Sequence, residues 1–242
     1  MREGGKTFQR VIEGKANVAV PRIKICCIAS VAEARLAIGI GASALGLVSA
    51  MPSGPGVIPW ETIAEIAAAV PPPIATFLLT CSQDAEEIVE QQRRCGTSVV
   101  QICDRLLRGS YADLRRALPG IRLVQVIHVV EASSIDEARA AAMHVDALLL
   151  DSGKPSLAVK ELGGTGRVHD WTLSARIRES AGVPLFLAGG LRAENVRDAI
   201  AAVRPFGLDV CSGVRTNGAL DETKLRAFVA ECGADFSPRS AG

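Results

Sequence analysis

The sequence predicts a (β/α)8 barrel, the TIM-barrel fold, with a short N-terminal extension, and three observations support this. Eight short apolar runs alternate with longer amphipathic stretches between about residues 22 and 232. The runs are nearly continuous in Val, Ile, Leu and Ala, which is typical of parallel strands covered on both faces. Eight units of about 25 residues, in a chain of 242 residues, fit this fold. An open, doubly wound sheet of eight strands is the alternative.

The predicted elements follow one another at regular spacing. The predicted strands are Arg22–Cys27, Ser43–Val48, Pro73–Leu79, Ser98–Cys103, Ile121–Val129, Val145–Asp151, Pro184–Ala188 and Gly207–Cys211. Predicted helices, bounded by capping residues and closing glycines, are Ser30–Ile40, Ser82–Arg94, Ser133–Met143, Asp170–Ser180, Arg192–Val203 and Asp221–Glu231. Without a linker-like change of composition, we expect one barrel domain at residues 21–234, an extension at 1–20 and a tail at 235–242.

Composition and charge argue against several classes of function. A hydrophobic fraction of 48% with 22% charged residues indicates a globular protein with a large core. A net charge of +1 and an aromatic content of 4% offer no surface suited to nucleic acid. No run of about 18 apolar residues predicts a membrane helix, and the acid-containing N-terminus lacks an apolar signal core. Seven cysteines without a C-x-x-C pair predict reduced thiols in a cytoplasmic protein.

Candidate catalytic groups follow two of the predicted strands, because function in such barrels lies at the carboxyl ends of strands. Cys26 ends the first strand and Asp151 ends the sixth, so a thiol and a carboxyl are expected to face each other across the barrel mouth. They form a candidate base and acid pair. The structural alternatives are a buried core cysteine and an aspartate that caps a loop.

Two glycine turns predict a phosphate site at the same end of the barrel. Gly189-Gly190 follows the seventh strand and Ser212-Gly213 follows the eighth, where exposed backbone amides usually bind phosphate in this fold. Tight turns without a ligand are the alternative. The three histidines, His128, His144 and His169, have no ligand spacing with other His, Cys or Glu, so no metal site is predicted.

The motifs at these strand ends resemble those of phosphoribosylanthranilate isomerases, a tryptophan-pathway family. In the first half, Lys24-Ile25-Cys26 is similar to K-[IV]-C-G, and GASALG at 41–46 is similar to G-A-D-x-[LI]-G. In the second half, the matching segments are LLDS at 149–152, GGTG at 163–166, DW at 170–171, LAGGL at 187–191 with ENV at 194–196, and DVCSGV at 209–214, where the family has D-[VL]-[SN]-S-G-V. The resemblance spans about residues 22–232.

The resemblance implies an Amadori rearrangement, which converts N-(5-phosphoribosyl)anthranilate to 1-(2-carboxyphenylamino)-1-deoxyribulose 5-phosphate. In the family's scheme the residue matching Asp151 protonates the furanose ring oxygen, and the residue matching Cys26 removes the C2′ proton from the resulting Schiff base. The phosphate is expected against the amides of Gly190 and of Ser212-Gly213. No metal or organic cofactor is implied. The expected partner is the small phosphorylated substrate, bound by a monomer or homodimer.

The chain departs from the family's motifs around the expected aryl end of the substrate. Cys27 replaces the glycine that follows the cysteine, and residues 49–56 lack the arginine that meets the anthranilate carboxylate. Cys103 stands where the family has a histidine, although Gln101 is retained, and Gln125 stands at a common lysine position.

Several residues are therefore candidate substrate contacts. Arg105, Arg108 and Arg215, near the ends of strands four and eight, are candidates for the missing cation, with solvated loop surface as the alternative. Gln101, Gly164 and Cys27 complete the candidate set.

Three functional hypotheses follow. The first is this isomerase, or a relative acting on a different phosphoribosyl arylamine. The second is a phosphosugar epimerase or lyase on the same scaffold, and the third is a non-catalytic barrel that binds a phosphorylated metabolite. The presence of both Cys26 and Asp151 favours the first.

Overall fold

A computed structural model describes residues 20–153, 160, 162, 166 and 168–233 of the chain. Its eight parallel strands pair in sequence order and close into a barrel, the last strand pairing with the first. The predicted (β/α)8 barrel is confirmed, and the open-sheet alternative is wrong. Residues 1–19 of the predicted extension and the predicted tail lie outside the described residues.

The strands and helices alternate along the chain. The strands are β1 (Arg22–Ile25), β2 (Ala44–Val48), β3 (Ala75–Thr80), β4 (Val99–Ile102), β5 (Arg122–His128), β6 (Ala147–Asp151), β7 (Leu185–Leu187) and β8 (Gly207–Val210). The helices are α1 (Val31–Ile40), α2 (Trp60–Ala69), α3 (Ala85–Cys95), α4 (Tyr111–Ala117), α5 (Ser134–Ala142), α6 (Trp171–Ala181), α7 (Val196–Val203) and α8 (Glu222–Gly233). A 3-10 turn at Ser212–Val214 and a ribbon of Arg215–Thr216 with Ala219–Leu220 follow β8.

Two helices of this series were not predicted. Helix α2 begins after Pro59, which provides no side-chain cap, so its start has no capping signal. Helix α4 has seven residues, too few for a clear helical periodicity. Where caps are present the prediction is close: the Ser30 hydroxyl accepts a hydrogen bond from the Glu33 amide at 3.1 Å. Gly41 then ends α1 in the left-handed conformation, with φ of 119°.

Side-chain alternation along the strands divides the core into two layers. One layer lies between the strands and the helices and is apolar; strand residues such as Leu45 and Leu148 pack there against helix residues such as Ala34 and Ile63. The other fills the barrel interior. Towards the amino end of the strands it contains Phe77 and Phe186, whose rings meet edge to face with centroids 5.8 Å apart.

Candidate active site

A cavity opens at the carboxyl end of the barrel. The predicted residues that line it are Cys26, Cys27, Gln101, Asp151, Gly189, Gly190 and Ser212. The structure therefore brings together groups from the ends of β1, β4, β6, β7 and β8. The predicted contact Gly164 lies outside the described residues.

Asp151 is the last residue of β6 and is buried at the cavity wall. Its Oδ1 accepts a hydrogen bond from the Ser152 amide at 2.7 Å. Burial raises the pKa of the Asp151 carboxyl, and the Ser152 amide and the nearby His128 lower it without cancelling that effect. The carboxyl therefore retains its proton to higher pH than an ordinary aspartate, which suits a general acid.

Lys24, two residues before Cys26, forms a buried ion pair with Asp209. This pair was not predicted from the sequence as part of the site. The Lys24 Nζ donates to the Asp209 Oδ1 at 2.9 Å, and Lys24 is fully buried. Burial alone lowers the pKa of Lys24, but Asp209 and then Cys26 outweigh it, so the pKa of Lys24 lies above its usual range. The ammonium group therefore stays charged inside the barrel.

This cation lies beside the candidate base. A methyl group added at Gly46 of β2 would stand 2.9 Å from the Cys26 Sγ and 3.0 Å from the Lys24 Nζ, so all three meet at one point of the barrel wall. The charged end of Lys24 is therefore a neighbour of the sulfur of the candidate base. The sequence could have predicted this position of Lys24, because residues two apart on a strand face the same side and Lys24 lies two residues before Cys26.

The loops after β7 and β8 are built on glycine. Gly189 and Gly190 have φ values of 85° and 62°, in the left-handed region that favours glycine. Gly213 does not line the cavity, but a Cβ there would lie 2.0 Å from the Leu191 carbonyl oxygen, so the two loops touch at this residue. The side-chain amide of Asn195 donates to the Gly190 carbonyl at 2.9 Å and fixes the first loop.

Gln101 presents an unpaired acceptor at the cavity. It is the third residue of β4 and is buried, and its Oε1 has no hydrogen-bond partner among the described residues. A buried polar atom without a partner costs free energy unless a ligand or water satisfies it. The position and the free acceptor suit a hydroxyl or N–H of a bound substrate.

Comparison with known proteins agrees with this geometry. The sequence model of the N-(5′-phosphoribosyl)anthranilate (PRA) isomerase family matches residues 23–231. This chain belongs to that family. It is 36% identical to N-(5′-phosphoribosyl)anthranilate isomerase 2 of Methanosarcina mazei over 217 residues, which cover 89% of this chain and 95% of the relative. It is 35% identical to the Haloferax volcanii isomerase over 211 residues, covering 86% and 91% of the two chains.

Solved PRA isomerases share the fold of the whole barrel. The Thermotoga maritima enzyme is similar with a TM-score of 0.74 and 28% identity, covering 88% of this chain and 98% of that one. A second structure is a PRA isomerase in complex with reduced 1-(o-carboxyphenylamino)-1-deoxyribulose 5-phosphate, with a TM-score of 0.71, 26% identity and the same coverage.

Among the described residues, none of the helices combines the length and apolar character needed to cross a bilayer.

None of the candidate arginines Arg105, Arg108 and Arg215 is among the described residues that line the cavity, and their assignment as substrate contacts is still a prediction. Arg105 is 76% exposed and pairs with Glu137 at 3.5 Å. Arg215 is buried and donates to Glu33 at 3.2 Å and to the backbone oxygens of Cys26 and Cys27. Its guanidinium therefore holds the end of β1 in place. Sequence proximity to a strand end did not reveal this, because the partners are distant in sequence.

The structure describes the surroundings of two other departures from the PRA isomerase motifs. Gln125 is buried and its amide donates to the backbone oxygen of Ile102 at 3.1 Å, while the Tyr111 hydroxyl donates to its Oε1 at 2.9 Å. Cys27 has a φ of 61°, a left-handed conformation in which glycine is favoured over cysteine. Among the described residues that line the cavity, none is an arginine or a lysine.

Proposed function

We propose that this chain catalyses the Amadori rearrangement of N-(5-phosphoribosyl)anthranilate to 1-(2-carboxyphenylamino)-1-deoxyribulose 5-phosphate. The observation that carries the proposal is that Cys26 and Asp151 line one cavity together with the glycine loops after β7 and β8. Membership of the PRA isomerase family and the complex of a family member with the reduced product support it.

Ring opening is the task of Asp151. Its proton passes to the furanose ring oxygen as the bond between that oxygen and C1′ breaks, and the lone pair of the aryl nitrogen forms the C1′–N double bond of the Schiff base. Because burial holds the pKa of Asp151 above its ordinary value, the acid form is available at higher pH than for an exposed aspartate.

Proton removal is the task of Cys26. Its thiolate takes the C2′ proton, the electron pair forms the C1′–C2′ double bond, and the Schiff-base nitrogen becomes the amine of an enolamine. Protonation at C1′ and loss of the enol proton then give the ketone. Lys24 does not line the cavity, so we assign it a positioning and electrostatic role through Cys26 rather than contact with substrate.

The remaining site residues hold the substrate. The Gly189, Gly190 and Ser212 loops bind the 5′-phosphate through backbone amides, with Gly213 permitting their close approach. Gln101 accepts a hydrogen bond from the sugar or the aryl N–H. The contacts of the phosphate with the glycine loops and of the substrate with Gln101 keep the C2′ proton near the Cys26 Sγ. Such positioning contributes to the rate.

Replacement of Asp151 by Asn tests the proposal. Asp151→Asn removes the proton donor and keeps the shape, so kcat should fall by about 10²–10⁴-fold while phosphate-product affinity changes little. Loss of substrate fluorescence measures turnover. The matched control is Asp136→Asn, whose side chain is 84% exposed on α5 and should have no effect. An Asp151→Asn enzyme with the turnover of the unmodified protein would contradict the proposal.

The pH profile provides a second test of the acid. A carboxyl with a raised pKa is protonated below that pKa and loses its proton as pH rises through it. Activity that depends on the Asp151 proton should therefore decline on the alkaline side of the profile. Residual turnover of Asp151→Asn should lack this decline. A profile of kcat/KM with the same alkaline limb in both proteins would assign the limb to another group.

A second candidate function is the same rearrangement of a substrate with a different aryl group. The residues that follow β2 and line the cavity favour it. Met51, Ser53 and Pro55 line the cavity where the family has an arginine for the carboxylate. A charge-assisted contact contributes about 1.5–3 kcal/mol, and none of the described residues that line the cavity offers a cation for the carboxylate. Comparison of phosphoribosylanthranilate with phosphoribosylaniline decides between them: a kcat/KM at least about tenfold higher for the carboxylate substrate favours the first candidate.

We further propose that the enzyme acts in the cytoplasm as a monomer or homodimer, with its small-molecule substrate as its only obligatory partner. A Thermotoga maritima relative is described as dimeric. Sedimentation of the purified protein distinguishes the two oligomeric states.

A further inference from the structure

Two thiols lie in contact on the wall of the candidate active site. The Sγ atoms of Cys27 and Cys211 are 2.9 Å apart, both residues line the cavity, and both are free cysteines. Cys27 follows the end of β1 and Cys211 follows the end of β8, and these strands are paired neighbours in the closed barrel. The contact joins residues 184 positions apart in the sequence.

Neither thiol belongs to the motifs that the rest of the site matches. Those motifs have glycine at the position of Cys27 and serine or asparagine at the position of Cys211. Cys27 adopts a φ of 61°, which favours glycine, and the chain crosses over it at Gly56, where a Cβ would lie 2.4 Å from the Cys27 Cβ. The cysteine therefore occupies a place in which a glycine would be less strained.

The surroundings assign different roles to the two sulfurs. The hydrogen bond between the two sulfurs and the positive charge of Arg215 lower the pKa of the Cys211 thiol, although burial acts in the opposite direction. Arg215 also donates to the backbone oxygens of Cys26 and Cys27, so its charge is fixed beside the pair. Cys211 is therefore the thiol that ionises and attacks, and Cys27 is the resolving thiol.

We propose that Cys27 and Cys211 form a modification site at which low-molecular-weight disulfides reversibly oxidise the pair to an internal disulfide and switch the isomerase off. The Cys211 thiolate attacks the small disulfide, forming a mixed disulfide and releasing one small thiol. Cys27 loses its proton and attacks the Cys211 sulfur, forming the internal bond and releasing the second small thiol. The two cysteines lose two electrons and two protons, and the small disulfide gains them.

The position of the pair explains why oxidation stops turnover. Cys27 directly follows the base Cys26, and Cys211 directly precedes Ser212 of the phosphate loop. Bond formation draws the two sulfurs closer than 2.9 Å and moves both chain segments. The segment that follows Cys211 has no space to move into, because a Cβ at Gly213 would already lie 2.0 Å from the Leu191 oxygen. This effect on activity rests on the proposed function, whereas formation of the disulfide does not.

The first experiment measures the bond itself. The reduced full-length protein is treated with oxidised glutathione, its remaining thiols are alkylated, and its mass and peptides are determined. The unmodified protein and Cys26→Ser should both lose two hydrogens and yield a peptide linked to Cys211. Cys27→Gly and Cys211→Ser should yield no such peptide. Only mixed glutathione adducts, or a link that disappears in Cys26→Ser, would overturn the proposal.

The second experiment measures activity, each protein being compared with its own fully reduced form. Oxidised glutathione should inactivate the unmodified protein, and dithiothreitol should restore it. Cys211→Ser should lose activity roughly tenfold more slowly. Cys81→Ser, which removes a half-exposed thiol outside the cavity, should behave as the unmodified protein. Equal inactivation of Cys211→Ser would place the sensitive thiol at a cysteine other than Cys211 and refute the switch. A disulfide formed by a protein without isomerase activity would refute the proposed function alone.

Discussion

The two faces of the same barrel strands differ sharply in composition. The face towards the helices is apolar: Ile25, Leu45 and Leu148 are fully buried there among other aliphatic side chains. The face towards the barrel axis carries Lys24, Gln101 and other polar groups that are equally buried. Because alternate residues of each strand point to alternate faces, two neighbouring residues such as Lys24 and Ile25 lie in the two different environments.

The difference shows how one element serves two purposes. On the outer face, burial of apolar surface stabilises the fold by about 25 cal/mol per Å². On the inner face, buried charges cost desolvation free energy and are tolerated because they are paired, as Lys24 is with Asp209. The inner face therefore contributes chemistry at some expense of stability, and substitutions on the two faces should have different consequences.

The largest effect is expected from breaking the inner ion pair. Lys24→Met leaves Asp209 as an unpaired buried charge, which should destabilise the protein by about 3–5 kcal/mol and also reduce kcat by removing the cation beside Cys26. Denaturant unfolding and steady-state kinetics measure the two effects. The double variant Lys24→Met with Asp209→Leu should recover much of the stability but not the activity. Recovery of full activity in that double variant would contradict the electrostatic role of Lys24.

An intermediate effect on stability alone is expected on the outer face. Leu45→Ala empties a fully buried position between β2 and the helices, so unfolding free energy should fall by about 3 kcal/mol with kcat unchanged below the unfolding temperature. The matched control is Leu107→Ala, whose side chain is 68% exposed and which should change stability by less than about 0.5 kcal/mol. A large loss of kcat in Leu45→Ala would mean that the two faces are not independent.

The smallest effect is expected from crowding the inner face by one methyl group. Gly46→Ala places a Cβ 2.9 Å from the Cys26 Sγ, 3.0 Å from the Lys24 Nζ and 3.1 Å from the Cys26 Cα, so the Cys26 side chain and the strand that carries it have to shift. The free energy of unfolding should fall by about 1 kcal/mol through overpacking, and kcat should fall by about tenfold because the base is displaced. Gly39→Ala is the control, since nothing lies within 4 Å of its added methyl and activity should be unchanged. Unaltered kcat in Gly46→Ala would show that the Cys26 position is not critical.

Sequence by itself determined the architecture and much of the cavity lining. Eight apolar runs with glycine and capping signals predict strands and helices locally, and the rule that function lies at the carboxyl strand ends selects Cys26, Asp151, Gly189, Gly190 and Ser212. These predictions succeed because periodicity, caps and strand ends are properties of neighbouring residues. The assignment of catalytic and binding roles to these residues is still a prediction.

Only the tertiary structure decided which distant residues meet. Barrel closure and strand register bring Lys24 to Asp209 across 185 positions, and they bring Arg215 to Glu33 across 182 positions. The same closure places the Cys27 and Cys211 thiols side by side. Distances of this kind depend on how the last strand returns to the first, and no local pattern in the sequence contains that information.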